Sequence, residues 1–350
     1  MQIVDDSGSL FRPPPVSFSA AEIGLEAFGW NVENGVLVSR LAAAARQRGL
    51  THADDQALRY DAVDGAAEIT LASGSSLRAS LIVAADGRRS RLREQAGIRA
   101  RSWSNPQSAL TTILAHERDH RDTSTEFHTR SGPFTLVPLP GRRSSLVWVV
   151  RPQEAERLAG LDDEALSLAV ERQAQSLLGH MRIDGPRAVV PLNGLSVERY
   201  GARRLALVGE AAHVFPPIGA QGLNLGLRDV AALRDAVIDA RDAGEDIGGD
   251  DALARYQRRR DLDVRLRSAA VNGLNRTLLT DFLPIDFLRG LSLLALAGIG
   301  PLRRAAMREG VLPSVGAPRL MRPDALSPAR SADAGRRDRS SARLARSQSD

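Results

Sequence analysis

The chain has 350 residues, 43% of them hydrophobic and 25% charged, the balance of a soluble globular protein with room for two domains. It contains no cysteine, which excludes disulfides, thiolate-bound zinc, iron–sulfur clusters and a thiol nucleophile. All 47 basic residues are arginine, and from Ser314 onward eight of them stand against four acids; +4 of the net +5 therefore sits in the C-terminal tail, and nucleic-acid binding is not expected.

At the N-terminus "MQIVD" reads as a short strand, followed by prolines at Pro13–Pro15. Asp5 and Asp6 stand where a secretory leader would be basic, so no signal peptide is read and a cytoplasmic setting is expected. "LVSRLAAAARQRG" (37–49) has helical spacing, with Gly49 as its stop. The pieces "ALRYDAVD" and "AEITLA" are strand-like and precede a Gly-Ser turn at 74–76. "SLIVAADG" (80–87) is a continuous apolar run ending in Asp-Gly, the pattern of a buried parallel strand leaving into a loop.

Between 107 and 150, short strands separated by turn residues predict an antiparallel sheet, and an amphipathic helix with an acidic first turn follows at Asp162–Leu178. "RRLALVGE" (203–210) is a second buried strand, Gly226–Ala240 a helix, and helical patterns continue from Ala252 to Arg308. The most apolar segment, 282–304, is free of charge only from Gly290 to Leu302. That falls short of the roughly 20 residues a membrane span needs. It reads as a buried or partner-facing helix, or as an interfacial helix at a membrane surface. From residue 313 the Ser-, Ala-, Pro- and Arg-rich chain reads as disordered.

Two apolar strands thus end in a carboxylate and a loop. The first continues as "ADGRRSRLR", with Asp86, Gly87, Ser90 and Arg93; the second as "GEAAHVFPPIGAQGLNLGLRDV" (209–230), with four glycines ahead of a helix. Glycines let backbone N–H groups approach a ligand closely, and a helix N-terminus favours anionic or electron-rich groups. The carboxylate suits a ligand that also offers hydroxyls. In an open parallel sheet, ligands bind off the carboxyl ends of strands.

This pair of motifs resembles the Asp-Gly and Gly-Asp fingerprints of the FAD-dependent aromatic hydroxylases, and most of all their ubiquinone-biosynthesis branch. "GWNVENGVLVSRL", "SGPFTLVPLP", "PLNGLSVERYGARRLALVGEAAH" and "GPLRRAAMREG" carry the likeness along residues 1–315. The resemblance implies an α/β fold: a parallel FAD-binding sheet with an inserted antiparallel substrate sheet. It divides the chain into a substrate-sheet remnant (1–30), an FAD-binding part with the Asp-Gly motif (31–105), and a substrate sheet with a helix (106–195). An FAD-binding part with the second motif (196–312) and the tail (313–350) complete it. It further implies a monooxygenase that uses NAD(P)H and O₂ to hydroxylate a polyprenylated phenol. Contact with the inner membrane or a quinone-synthesis complex is also implied.

Carried onto this chain, the resemblance places Gly209 and Glu210 at the ribityl chain of FAD, Glu210 standing where the family usually has Asp. Pro217 would lie beside the isoalloxazine, and Gly219, Gln221, Gly222, Leu223 and Asn224 would present amides to its pyrimidine edge. Asp86 and Gly87 would lie near the pyrophosphate and the path of NAD(P)H, with Arg93 bracing that loop. Each also has a plain structural reading: glycine as turn former, Asp86 as helix cap, Arg93 as surface charge. His213 reads as a packing residue. His116 and His120, spaced i, i+4, have only His128 nearby, so no metal is expected; Ser90 lacks a Gly-x-Ser-x-Gly elbow. No catalytic residue is assigned.

No G-x-G-x-x-G occurs in the chain. The resemblance implies that Met1 falls beyond the βαβ unit carrying that fingerprint, leaving the flavin-ring half of the site without the ADP half. The chain as given is therefore expected not to retain FAD on purification. Two other readings stay open. One is a catalytically silent fragment that acts as an interaction partner. The other is a different flavin enzyme, a halogenase or a prenyl reductase; a halogenase would call for an active-site lysine, and the chain has none.

Overall fold

The computed structural model describes residues 1–8, 14–215, 221–261, 263–264, 292, 294–311 and 317–322. Strands β1 (Gln2–Asp6) and β2 (Val16–Ser17) precede helix α1 (Asn34–Gln47). The chain then forms β3 (Ala57–Val63), β4 (Ala66–Leu71), β5 (Ser76–Ala79), β6 (Ile82–Ala84) and the short helix α2 (Arg91–Gln95). Strands β7 (Ala100–His116), β8 (Thr125–Thr129), β9 (Gly132–Leu139) and β10 (Arg143–Val150) lead to α3 (Pro152–Ala159) and α4 (Asp163–Gln173). Last come β11 (Met181–Ile183), β12 (Ala188–Val197), β13 (Gly201–Ala202), β14 (Leu205–Leu207), β15 (His213–Val214) and α5 (Gln221–Asp242). A further helix, α6, spans 250–261; α7 is Gly300–Val311.

Alternation along β7–β10 sets the largest sheet, ordered β15-β12-β7-β10-β9-β8-β1-β2 with β11 also on β7. Its pairs are antiparallel except β1 on β8, which runs parallel. Phe127, Phe134, Leu136, Leu146 and Trp148 point to one face and pack under Leu158 of α3 and Leu166 and Val170 of α4. Phe134 meets the Trp148 ring edge-on at 5.2 Å. Asp162 caps α4 by accepting the Ala165 N–H at 2.7 Å, and the helix ends at Gln173, five residues before the sequence reading.

β7 starts at Ala100 rather than 107 and passes through Pro106. Pairing with β12 skips from Ser108↔Pro191 to Ser104↔Asn193, so a bulge absorbs the residue that cannot donate to the ladder.

A second core forms around β6 and β14, which pair in parallel through Ile82↔Leu205, Val83↔Ala206 and Ala84↔Leu207. Both are shorter than the apolar runs that announced them. Arg203 and Arg204 are turn residues with φ of 51° and 67°, forming the two-residue hairpin that launches β14. Tyr60 donates to the Arg203 carbonyl, and Arg204 pairs with Asp246, which holds this turn against its backbone cost. β6 lies at the edge of the described sheet, and Val83 is 46% exposed instead of buried. Gly49 closes α1 in the left-handed region (φ +71°), with Leu50 N–H reaching Ala45 O and Gly49 N–H reaching Arg46 O. Of the tail read from 313, residues 317–322 are described, and Arg319 pairs with Asp239 of α5; the remainder, with residues 282–291 and 293 of the apolar 282–304 segment, lies outside the described residues.

Candidate functional site

The parallel pairing of β6 with β14 brings two loops together that are over one hundred residues apart in sequence. Asp86 and Gly87 leave the end of β6, and Gly209 and Glu210 leave the end of β14. Gly87 (φ +81°) and Gly209 (φ +61°) both occupy the left-handed region, with open space where a Cβ would stand. Glu210 is exposed at the mouth of this corner.

Arg93 ties the two loops. Buried on α2, it donates from Nη1 to Ala211 O at 2.9 Å and from Nη2 to Arg88 O at 3.0 Å. It is thus a structural bridge rather than a surface charge. Ser90, not Asp86, caps α2, taking the Arg93 N–H at 3.0 Å; Asp86 Oδ2 takes the Leu92 N–H at 3.4 Å.

Helix α5 starts at Gln221 and exposes Gly222, Leu223 and Asn224 in its first turn. Gly222 is not in the left-handed region and has open space around its Cβ direction. The glycine that brings α5 close is Gly226, whose added Cβ would lie 3.3 Å from Gly209 Cα. Pro217 and Gly219 lie outside the described residues.

Beneath the loop is a buried charge network that sequence reasoning missed. Asp229 Oδ2 accepts the Gly209 N–H at 2.9 Å and faces His213 Nε2 at 2.7 Å; its Oδ1 accepts Arg260 Nε–H at 2.7 Å. Asp229 and Arg260 are fully buried, and Arg260 also donates to Asp263 Oδ2 at 2.7 Å. Burial works against the Arg260 cation, but the Asp229 and Asp263 carboxylates outweigh it and hold its pKa above the ordinary value. Tyr256, on α6 with Arg260, donates to Leu207 O at 2.8 Å at the end of β14. Burial pushes both the Tyr256 and Tyr200 phenols up in pKa, so they stay neutral donors. His213 is therefore a buried link between loop and helix. The only sequence signal for Asp229 was its place one helical turn past the last glycine.

His116 is engaged by Arg118 O and Ser144 Oγ, and His120 by Leu139 O.

The corner fits the flavin end of FAD: an uncrowded glycine cradle, an exposed carboxylate for hydroxyls, and the exposed first turn of a long helix. Residues 36–265 match the family described as FAD binding domain. The chain is 38% identical over 315 residues to "Ubiquinone hydroxylase UbiL" of Rhodospirillum rubrum, covering 89% of this chain and 72% of that one. It is 32% identical over 295 residues to "3-demethoxyubiquinol 3-hydroxylase" of Escherichia coli, covering 84% and 75%. Among solved structures, p-nitrophenol 4-monooxygenase PnpA of Pseudomonas putida superposes with a TM-score of 0.69 at 15% identity, covering 88% of this chain and 79% of that one. Klebsiella pneumoniae HpxO, complexed with FAD and uric acid, gives a TM-score of 0.60 at 19% identity, covering 81% and 72%. These two likenesses concern the fold alone.

Proposed function

We propose, for a chain that belongs to the FAD-dependent hydroxylases of the ubiquinone-biosynthesis branch, that it hydroxylates the ring of a polyprenylated phenol on the way to ubiquinone. The observation that carries this reading is the corner made by β6 and β14, where Arg93 locks the Asp86–Gly87 and Gly209–Glu210 loops to each other. FAD, when bound, supplies the redox chemistry, taking electrons from NAD(P)H and activating O₂.

The chain's own residues hold and orient. Glu210 offers its carboxylate to the ribityl hydroxyls. The amides of Gln221, Gly222, Leu223 and Asn224 take the pyrimidine edge, where the α5 dipole favours negative charge. Asp86 and Gly87 border the pyrophosphate side. A prenyl chain gains about 0.8 kcal/mol for each CH₂ that it buries, which favours an apolar lining over a charged one.

Among the described residues no helix is long and apolar enough to cross a membrane. A cytoplasmic protein touching the inner membrane peripherally suits a prenylated substrate. Exposed Leu294, Ile299 and Leu302 beside Arg304 and Arg308 offer such a contact; no nucleic-acid partner is proposed.

The test is NAD(P)H oxidation by the FAD-supplied protein, expressed from its full reading frame. A short-chain prenylphenol should stimulate it more than 4-hydroxybenzoate, and Gly222→Val should abolish flavin binding while leaving the unfolding temperature unchanged. Faster turnover with the small acid, or full flavin occupancy in the variant, would sink the reading. A deletion strain should lose quinone and accumulate the prenylated precursor.

A further inference from the structure

The face of the large sheet turned away from α3 and α4 carries a polar pair that the proposed flavin corner does not use. Glu126 and His128 alternate with Phe127 along β8, so both project to that face. They are 6% and 4% exposed, and His128 Nε2 lies 2.9 Å from Glu126 Oε1. Across the ladder, the same face holds Val147 and Val149 of β10, Ala109 of β7 and Leu192 of β12. Three strands thus contribute apolar residues to the face on which the acid–imidazole pair stands.

The hydrogen bond decides the tautomer. A carboxylate can only accept, so His128 Nε2 carries the hydrogen and Nδ1 is left with a lone pair. His128 Nδ1 is buried and has no hydrogen-bond partner among the described residues. An unmet buried acceptor is costly unless a ligand meets it. The charged groups that face the ring are both carboxylates. Glu126 bonds it directly; Asp5, its register partner on parallel β1, stands on the same face and accepts the Ser7 hydroxyl at 2.6 Å. From β9 the facing residues are Thr135 and Pro133, neither titratable. Arg130, the nearest cation along the strand, is turned to Ser7 O at 2.6 Å.

We propose that His128 is a catalytic residue that takes the phenolic proton of the substrate, with Glu126 as its positioning residue. The inference rests on the phenol hydroxylase reading above and adds to it the group that activates the ring. The phenol O–H bond breaks, its proton passes to Nδ1, and the phenolate remains beside an imidazolium whose Nε2–H is bonded to Glu126. No electrons change hands. A phenolate ring is far more electron-rich than the phenol, which is what an electrophilic oxygen donor requires.

The test uses 2-prenyl-4-nitrophenol, whose phenolate absorbs in the visible. Difference spectra of the FAD-supplied full chain are recorded against pH, so the first arm needs no variant. The bound phenol should ionise at a lower pH than the free phenol. In His128→Gln the shift should vanish and Kd rise about tenfold, the loss of one charge-assisted hydrogen bond. Glu126→Gln should retain binding but lose most of the ionisation shift. Binding by the unaltered protein without any shift, or a shift unchanged in both variants, overturns the assignment of His128 and leaves the phenol reading standing. Failure to bind any prenylphenol overturns both.

Discussion

Replacing Asp229 by alanine removes the hub beneath the second loop. The carboxylate receives three donors: the Gly209 amide at 2.9 Å, the His213 ring at 2.7 Å and the Arg260 guanidinium at 2.7 Å. It is fully buried, as is Arg260, so water does not already share these bonds. Breaking a buried ion pair by deleting one partner costs about 3–5 kcal/mol, because the other charge is stranded. Arg260 keeps Asp263 at 2.7 Å, which argues for the lower half of that range. At about 2–4 °C per kcal/mol for a larger domain, the unfolding midpoint should fall by on the order of 10 °C. Urea unfolding of both proteins measures the difference directly. Asp229→Asn keeps the shape and one acceptor, and should cost less, about 1–2 kcal/mol. If Asp229→Ala shifts stability by under about 1 kcal/mol, the network contributes no more than an exposed ion pair, and the reasoning from burial fails.

Gly226→Val should loosen the packing of α5 on Gly209, since even a Cβ there would sit 3.3 Å from Gly209 Cα; a destabilisation of about 1–3 kcal/mol in urea unfolding is expected. Burial lowers the His116 pKa, only partly opposed by its bond to Arg118 O. The unfolded chain then binds more protons than the folded one below the ordinary value of 6.5, so stability should rise with pH through that window and level off above it. His116→Gln should flatten this slope; an unchanged slope would assign it to other groups. Arg203→Gly keeps the carbonyl that Tyr60 binds and relieves a φ of 51°, and should raise stability by about 0.5–1 kcal/mol in thermal unfolding.

The two fingerprints were legible because their requirements are local. Gly87 and Gly209 take positive φ, and the α/β order follows from where apolar runs end in such loops. The alternation that builds β8, β9 and β10 was equally plain. Misreadings arose where a long-range partner overrides a local preference. Asn105-Pro106 signals a break in the chain, yet β12 accommodates it with a bulge. Arg203 and Arg204 read as the start of a strand, but Tyr60 and Asp246 hold them as its turn.

The lack of cysteine excluded a thiol site, and two glycine-bearing strand ends, with the family resemblance they carry, pointed to a flavin-type corner. Only the tertiary structure decided what stiffens that corner. Arg93 joins Arg88 to Ala211, and Asp229 joins Gly209 to Arg260. Pairs so far apart in the chain leave no periodic trace in sequence. Their bonds gain strength from burial, and burial exists only once the sheets and helices have packed.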